Sequence, residues 1–307
     1  MNLYKGQRKI QLKLKSALMI NSNLNNSTIQ KSFEIVPPRY SISDSFINKI
    51  IKHEKSFDLL DITCCPMATL RVNPIAVAHR LILKGIKPEK LIVNFSSRDR
   101  NSLALQSEIF GALSIKLKNI LIVKGDPIRY GNSKNSKEVF ELTTDQIINK
   151  VNNINKGFDF NNNETNSKNY IDIFSTLNIN RSFNEIKKTI QKRLRKGSKF
   201  FITQPIYSES DFEKIIKLSK SKDYKIFAGI LPIKNKKILG NLLKKLGGIT
   251  IDSPHLVELA KYDDKKIHSH SSKHLKKLIK VYKKNLDGLH LMTSGSINEA
   301  SNLIKDL

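Results

Sequence analysis

Cysteine is nearly absent from this chain: the only two, Cys64 and Cys65, are adjacent. They cannot staple a fold and match no CxxC zinc or redox spacing, which points to a reducing compartment, here the cytoplasm. Long apolar runs are missing too. None approaches the ~18 residues that span a bilayer, so no membrane role is expected. Neither GxGxxG nor GxxxxGK[ST] occurs, and Gly247-Gly248 supplies neither, which removes support for Rossmann and P-loop sites. Acidic residues are scarce: 27 Asp and Glu against 54 Lys and Arg leave a net charge of +27. That surplus invites a nucleic-acid reading. The lysines, however, are spread among Asn and Ile over the whole length, with no zinc finger, RNP motif or arginine block, so no nucleic-acid partner is expected. Biased codon usage is the simpler account, although an electropositive surface still helps to attract a polyanionic substrate or dinucleotide.

What the chain does have is length and β-branched residues. At 307 residues and 39% hydrophobic, it can bury a large core. Residues 1–33 contain no Asp or Glu and carry Lys5, Arg8, Lys9, Lys13 and Lys15. Lysine outnumbers arginine there and the Asn-rich stretch 21–26 reads as a loop. Residues 1–31 are therefore taken as an N-terminal extension rather than an organellar targeting segment, and residues 32–307 as one catalytic domain.

Within that domain, short apolar runs at 32–36, 59–63, 91–95, 119–123, 170–174, 199–203, 225–231 and 288–292 have the length of buried strands. Helical spacing separates them, beginning with Phe46, Ile47, Ile50 and Ile51 and continuing over 74–84 up to Gly85. Capping boxes are expected at Thr143/Gln146, Ser182/Glu185 and Ser296/Glu299. Residues 156–169 are Asn-rich and read as a mobile insertion, and 233–286 hold two or three basic helices. Eight strands alternating with helices, most of them about 26–32 residues apart, predict a single-domain (β/α)8 TIM barrel of roughly 250 residues or more.

A (β/α)8 barrel keeps its chemistry at the C-terminal ends of its strands. Those ends are Glu34, Thr63, the 94–97 turn, Asp126, Asn178, Gln204, Leu231 and His290. Lys124-Gly125-Asp126-Pro127 is the sharpest of them. Glycine there lets the backbone approach a ligand, proline stops the strand, and a lone carboxylate sits at the mouth. Glu34 and Asp126 come from well-separated strands, so one can hold a proton while the other stays ionised. An amide and several hydroxyls beside them suit a polar heterocycle. His268, His270 and His274 form an HxHx3H cluster that precedes a late helix rather than ending a strand, so no metal is expected. The basic stretch 273–280 reads as a solvated outer helix.

Several stretches resemble the methylenetetrahydrofolate reductase family. Phe33-Glu34-Ile35-Val36-Pro37-Pro38-Arg39 is similar to its FExxPPR opening, Lys124-Gly125-Asp126-Pro127 to its GDP element, and Ile202-Thr203-Gln204-Pro205 to its TQ strand end. Gly229-Ile230-Leu231-Pro232-Ile233 resembles its GILP segment and Gly288-Leu289-His290-Leu291 its closing strand. Arg98-Asp99-Arg100-Asn101 with Ala104-Leu105-Gln106 resembles the RDRN…ALQ form of one branch. These motifs are collinear over about residues 32–306.

The resemblance implies an FAD-dependent barrel enzyme that reduces 5,10-methylenetetrahydrofolate to 5-methyltetrahydrofolate with NAD(P)H, in one-carbon metabolism and methionine biosynthesis. It implies Glu34 as general acid, Asp126 as a carboxylate near flavin and pterin, and Gln204 as a pterin ligand. FAD contacts are implied at Thr63, Asn94, Ser96, Leu121, Val123, Lys124, Gly125, Asp126, Asn178 and Arg193. Two departures stand out: Lys236 replaces the family's aromatic after GILP, and Leu177-Asn178-Ile179-Asn180 lacks the family's proline. They leave the folate form and the choice between NADH and NADPH open. Another flavin or deazaflavin reductase of a modified pterin carrier, or a non-catalytic basic binding module, is the alternative. Self-association into a homo-oligomer is left open.

Overall fold

Residue alternation along the strands determines which way each side chain faces. In a computed structural model, which describes residues 29–165, 168–243 and 253–305, eight strands form: β1 Gln30–Ile35, β2 Leu59–Ile62, β3 Leu91–Ser96, β4 Asn119–Val123, β5 Asp172–Leu177, β6 Ser198–Pro205, β7 Lys225–Ile230 and β8 Gly288–Leu291. All pair in parallel, each with the next and β8 with β1, and the sheet closes on itself. Because successive side chains point to opposite faces, Phe33, Ile35, Leu60, Ile62, Val93, Phe95, Ile120 and Ile122 face outward. They pack in one large core shared with the helices. Ile92, Leu121, Phe174, Phe200, Ile202 and Phe227 face inward and form a second core within the barrel.

The described helices are α1 Asp44–His53, α2 Pro74–Leu83, α3 Ser102–Ser114, α4 Thr144–Lys156, α5 Phe183–Arg195, α6 Glu209–Leu218, α7 Lys236–Leu243, α8 Pro254–Leu259, α9 Asp264–Tyr282 and α10 Ile297–Leu303. The expected (β/α)8 barrel is present. Among the described residues no helix is long and apolar enough to cross a membrane. On α9, Ile267, Ser271, Leu275, Leu278 and Ile279 are buried while Lys273, Lys276, Lys277 and Lys280 are not, the solvated outer helix its amphipathic spacing predicts. Gly247-Gly248 and residues 1–28 lie outside the described residues.

Local polar chemistry explains where the sequence reading and the structure differ. β5 starts at Asp172 rather than 170. The Asn155 side chain of α4 takes both backbone groups of Ile171, donating to its carbonyl at 2.9 Å and accepting from its N–H at 2.7 Å. The capping boxes at Thr143/Gln146 and Ser182/Glu185 form, and a third forms at Ser208/Asp211. The one expected at Ser296/Glu299 does not. Glu299 is claimed instead by His268 at 2.7 Å and Lys234 at 2.8 Å. The Asn-rich insertion is not merely polar loop. Phe160 is buried within it and its carbonyl accepts from Lys150 at 2.6 Å, while Asp159 takes the backbone N–H groups of Asn161 and Asn163 at 2.8 Å each.

Candidate active site

The barrel interior is divided by chemistry. Its β4–β7 side is apolar, with Phe174 stacked on Phe200 at 4.5 Å between ring centroids, a pairing worth about 0.5–1.5 kcal/mol beyond its buried area. Its β8–β1–β2–β3 side is polar. Ser32 and Glu34 alternate with outward Phe33 and Ile35. By the same alternation Asp61, Asn94 and His290 point inward from β2, β3 and β8.

Glu34 is paired in register with Asp61 on the neighbouring strand. Its carboxyl makes no hydrogen bond with the described residues, and burial raises its pKa from the usual 4.5 to about 7. Asp61 is 1% exposed, and its Oδ1 has no hydrogen-bond partner. Burial first and then repulsion from Glu34 hold its pKa well above the ordinary carboxylate range, against a smaller opposing pull from Asn94. His290 lies against this pair, its Nε2 3.6 Å from Asp61 Oδ2 and its Nδ1 3.1 Å from Ser32 Oγ. Burial lowers the pKa of His290 to about 3, so the ring is neutral and forms no ion pair with Asp61. The sequence reading placed His290 at the mouth. It is instead inside the barrel, because β8 pairs with β1 in a register that sets His290 level with Ser32, one inward-facing position deeper than Glu34.

Asp126 sits at the mouth on the β4 loop, where its Oδ2 accepts from the Met67 N–H at 2.8 Å. That contact holds a turn in which Cys65, Met67 and Ala68 all have left-handed φ, at 42°, 54° and 50°. Such backbone is strained for residues with side chains and persists only when its surroundings hold it. Gly131 packs against the same turn so closely that a Cβ there would lie 1.7 Å from the Ala68 carbonyl oxygen. Gly125 has φ 86°, and a Cβ would meet Ser96 Oγ at 2.3 Å. Glycine is therefore required at 125 on both counts.

Arg98 is the residue whose role the sequence did not reveal. It is 2% exposed, forks onto Asp99 at 2.6 and 2.7 Å, and donates to the Asp126 carbonyl at 2.9 Å and the Cys65 carbonyl at 3.3 Å. One guanidinium thus ties together the loops after β2, β3 and β4. The RDRN spelling marked the position, but only the fold shows what the fork reaches. Next to it Arg100 pairs with Glu108 at 2.7 Å and donates to Cys64 Sγ at 3.3 Å. Both cysteines are free thiols.

The remaining expected site residues differ in how free they are. Gln204 is buried at the end of β6; its Oε1 accepts from the Ile179 N–H at 3.1 Å while its Nε2 has no partner. Asn94 Oδ1 is likewise without a partner. Leu121 belongs to the inner apolar cluster and Val123 packs against it. Ser96 Oγ accepts from the Arg98 N–H at 3.1 Å, and Lys124 is exposed with its ammonium 5.7 Å from the Phe140 ring centroid. Asn178 accepts from the Asn180 N–H at 2.9 Å. Two are already engaged. The Thr63 hydroxyl donates to the Ile35 carbonyl at 3.2 Å, and Arg193, out on α5, is held by Asp145 at 2.9 Å and by the Thr176 carbonyl. Lys236 opens α7, exposed, with its N–H on Asp264 at 2.9 Å. The three histidines of the HxHx3H run diverge. His268 meets Glu299, His270 stacks on Tyr262, and His274 stacks on His255 at 3.7 Å. No group of three or more metal-type ligands exists among the described residues.

A closed parallel barrel with buried titratable groups inside and tied loops at its C-terminal mouth is the class of (β/α)8 scaffolds whose sites lie at that face. The family model described as methylenetetrahydrofolate reductase matches residues 19–306. The chain belongs to the methylenetetrahydrofolate reductase family. Among solved structures, an uncharacterized protein from Clostridium thermocellum, described as binding two copies of 5-methyl-5,6,7,8-tetrahydrofolic acid, is similar in fold. Its TM-score is 0.58 at 16% identity, over 92% of this chain and 98% of that one. A 2,3-dimethylmalate lyase is more distant, at a TM-score of 0.47 and 9% identity over 94% and 82% of the two chains. No curated protein sequence matches.

Proposed function

We propose that the protein is an FAD-dependent methylenetetrahydrofolate reductase that uses NAD(P)H to convert 5,10-methylenetetrahydrofolate to 5-methyltetrahydrofolate. The observation that carries this reading is a carboxyl at position 34, inside a barrel of this family, with burial holding its pKa near 7. Opening the substrate's five-membered ring to the reactive iminium requires a proton on the leaving ring nitrogen. An acid that half-holds its proton at neutral pH suits that step. Asp126 supplies negative charge at the mouth, where cationic character on the folate is stabilised. The free Nε2 of Gln204 is a buried donor awaiting an acceptor, as a pterin offers. The folate named for the Clostridium thermocellum barrel is the ligand class extended here to this chain.

The residues present fit FAD. Asn94 Oδ1 is a buried acceptor without a partner, and Leu121 and Val123 provide an apolar wall. In this reading Asn94, Ser96, Leu121, Val123, Lys124, Gly125, Asp126 and Asn178 hold the cofactor, with Thr63 and Arg193 at its margin. Bound FAD supplies the hydride it receives from the nicotinamide. A second reading, a flavin or deazaflavin reductase of a modified pterin carrier, draws on Lys236, which places an exposed charge where the family has an aromatic ring. A pure binding module has no use for buried acids at positions 34 and 61.

The test is the absorption spectrum of the purified protein followed anaerobically. A yellow flavin spectrum that bleaches with NADH or NADPH and recovers on adding 5,10-methylenetetrahydrofolate is expected. A colourless preparation that takes up no added FAD overturns the reading. A reduced flavin that the folate fails to reoxidise shifts the case to the modified-pterin alternative.

A further inference from the structure

The two cysteines have no part in the proposed reaction, yet they stand side by side at the mouth, just after β2. Cys64 is 9% exposed and Cys65 is half-buried, and both are free thiols. Two guanidiniums crowd them. Arg100 donates to Cys64 Sγ at 3.3 Å, and Arg98 donates to the Cys65 carbonyl at 3.3 Å. Cys65 Sγ lies 3.8 Å from the Arg71 carbonyl at the far end of the same loop. The two sulfurs also hydrogen-bond each other, which lowers the Cys65 pKa to about 6 and, together with burial, raises that of Cys64. Burial of Cys65 and the nearby Asp99 carboxylate oppose the lowering without undoing it. The pair thus gives up one proton early and keeps the other, as a thiolate held by a neighbouring thiol.

We propose that Cys64 and Cys65 form a modification site: a hydroperoxide oxidises Cys65, Cys64 closes on it as a disulfide, and the turn that holds Asp126 is disturbed. The Cys65 thiolate attacks one peroxide oxygen; an S–O bond forms, the O–O bond breaks, and hydroxide leaves. Cys64 then attacks the Cys65 sulfur, forming the S–S bond and breaking the S–O bond. The hydroxide expelled in that step takes the Cys64 proton and leaves as water. In sum, two thiols and one hydrogen peroxide become one disulfide and two waters, with two electrons passing from sulfur to peroxide. Once Cys65 is a neutral sulfenic acid, it no longer holds the Cys64 proton in place. Arg100 is already on Cys64 Sγ to stabilise the thiolate that emerges there.

A bond between adjacent cysteines is temporary by construction. Neighbouring Cα atoms are about 3.8 Å apart, below the roughly 4.4–6.8 Å of relaxed disulfides, and strained disulfides are the readily reduced ones. Its effect reaches beyond the pair. Cys65 opens the left-handed turn whose Met67 N–H meets Asp126 Oδ2 at 2.8 Å, and Arg98 joins the carbonyls of Cys65 and Asp126. Closing a ring at 64–65 changes the backbone at one end of these contacts and moves the Asp126 carboxylate at the other.

The test uses the full chain, reduced and then freed of reductant, with hydrogen peroxide as the probe. Treated protein is expected to become lighter by two hydrogens, to lose both alkylatable thiols together, and to regain them with dithiothreitol. Peptide mapping should place the bond within the single peptide that carries both cysteines. The rate of oxidation should be half-maximal at about pH 6, against about pH 8.5 for the unfolded chain in urea. Tryptic cleavage after Arg71 is expected to rise several-fold on oxidation and to fall back on reduction. Cys64→Ser should stop at a sulfenic acid that dimedone traps, whereas in Cys65→Ser the remaining thiol should resist peroxide. Mapping of the wild type decides the question alone if either variant does not fold. Thiols that titrate as in the unfolded chain, a disulfide between chains, or oxidation that leaves cleavage unchanged overturns the proposal. None of these readouts involves flavin or folate, so the result is separate from the functional reading above.

Discussion

Replacing Glu34 by Gln is expected to make the protein more stable and the enzyme far slower. Burial shifts the Glu34 pKa from 4.5 to about 7 in the folded protein, while in the unfolded chain it stays near its ordinary value. The unfolded state therefore releases its proton first as pH rises. The stability this group contributes is fully present below about pH 4.5, declines through the window up to about pH 7, and stays lost above it. At 1.36 kcal/mol per unit the loss is at most about 3 kcal/mol. Glutamine keeps the shape and carries no charge, so it does not suffer the loss. For a chain of this size about 2 °C accompanies each kcal/mol, so the variant's Tm should exceed that of wild type by about 5 °C at pH 8 and match it near pH 4.5. In stopped-flow experiments the same variant should be reduced normally by the nicotinamide, yet reduce methylenetetrahydrofolate ~10²–10⁴-fold more slowly. Thermal melts of cofactor-free protein at the two pH values decide the first part. A Tm difference independent of pH would refute the argument that an uncompensated buried carboxyl sits at this position.

Asp126→Asn keeps an oxygen for the Met67 N–H and should leave the fold and flavin reduction intact while slowing the folate half-reaction by roughly 10²–10³, the loss of one electrostatic contact. Asp126→Ala should in addition loosen the 65–68 turn, which limited proteolysis of the two variants side by side would report. Arg98→Met removes the fork that ties three loops and leaves the Asp99 carboxylate and two carbonyls without their partner. A loss of about 1–3 kcal/mol in urea unfolding is expected, and an unchanged midpoint would show that the fork does not hold the mouth together. Gly131→Ala has an allowed φ of −98° but no room against Ala68. It should cost about 1–3 kcal/mol, measured by thermal melt, and the loss should persist when residue 68 is shortened to glycine, because the clash is with the backbone carbonyl of that residue.

Much of the architecture is legible along the chain because it depends on local patterns. Apolar runs of strand length, a period of two within them, helical spacing between them and side-chain caps at Thr143 and Ser182 all act over a few residues. The positions of Glu34, Asp126 and Gln204 at strand ends are legible for the same reason: once the strands are placed, the barrel sends their C-terminal ends to one mouth. Where a residue's fate depends on a distant partner, the sequence offers no signal. Ser296 and Glu299 spell a capping box, but a lysine and a histidine from other elements compete for the glutamate and win. Asp61 reads as one more polar residue in an apolar run. Its register opposite Glu34, its neutral neighbour His290 and its missing countercharge exist only after β1, β2, β3 and β8 close side by side. Ionisation inside a protein is set by burial and by charges arriving from other strands, so closure of the barrel decided which carboxyls keep their protons.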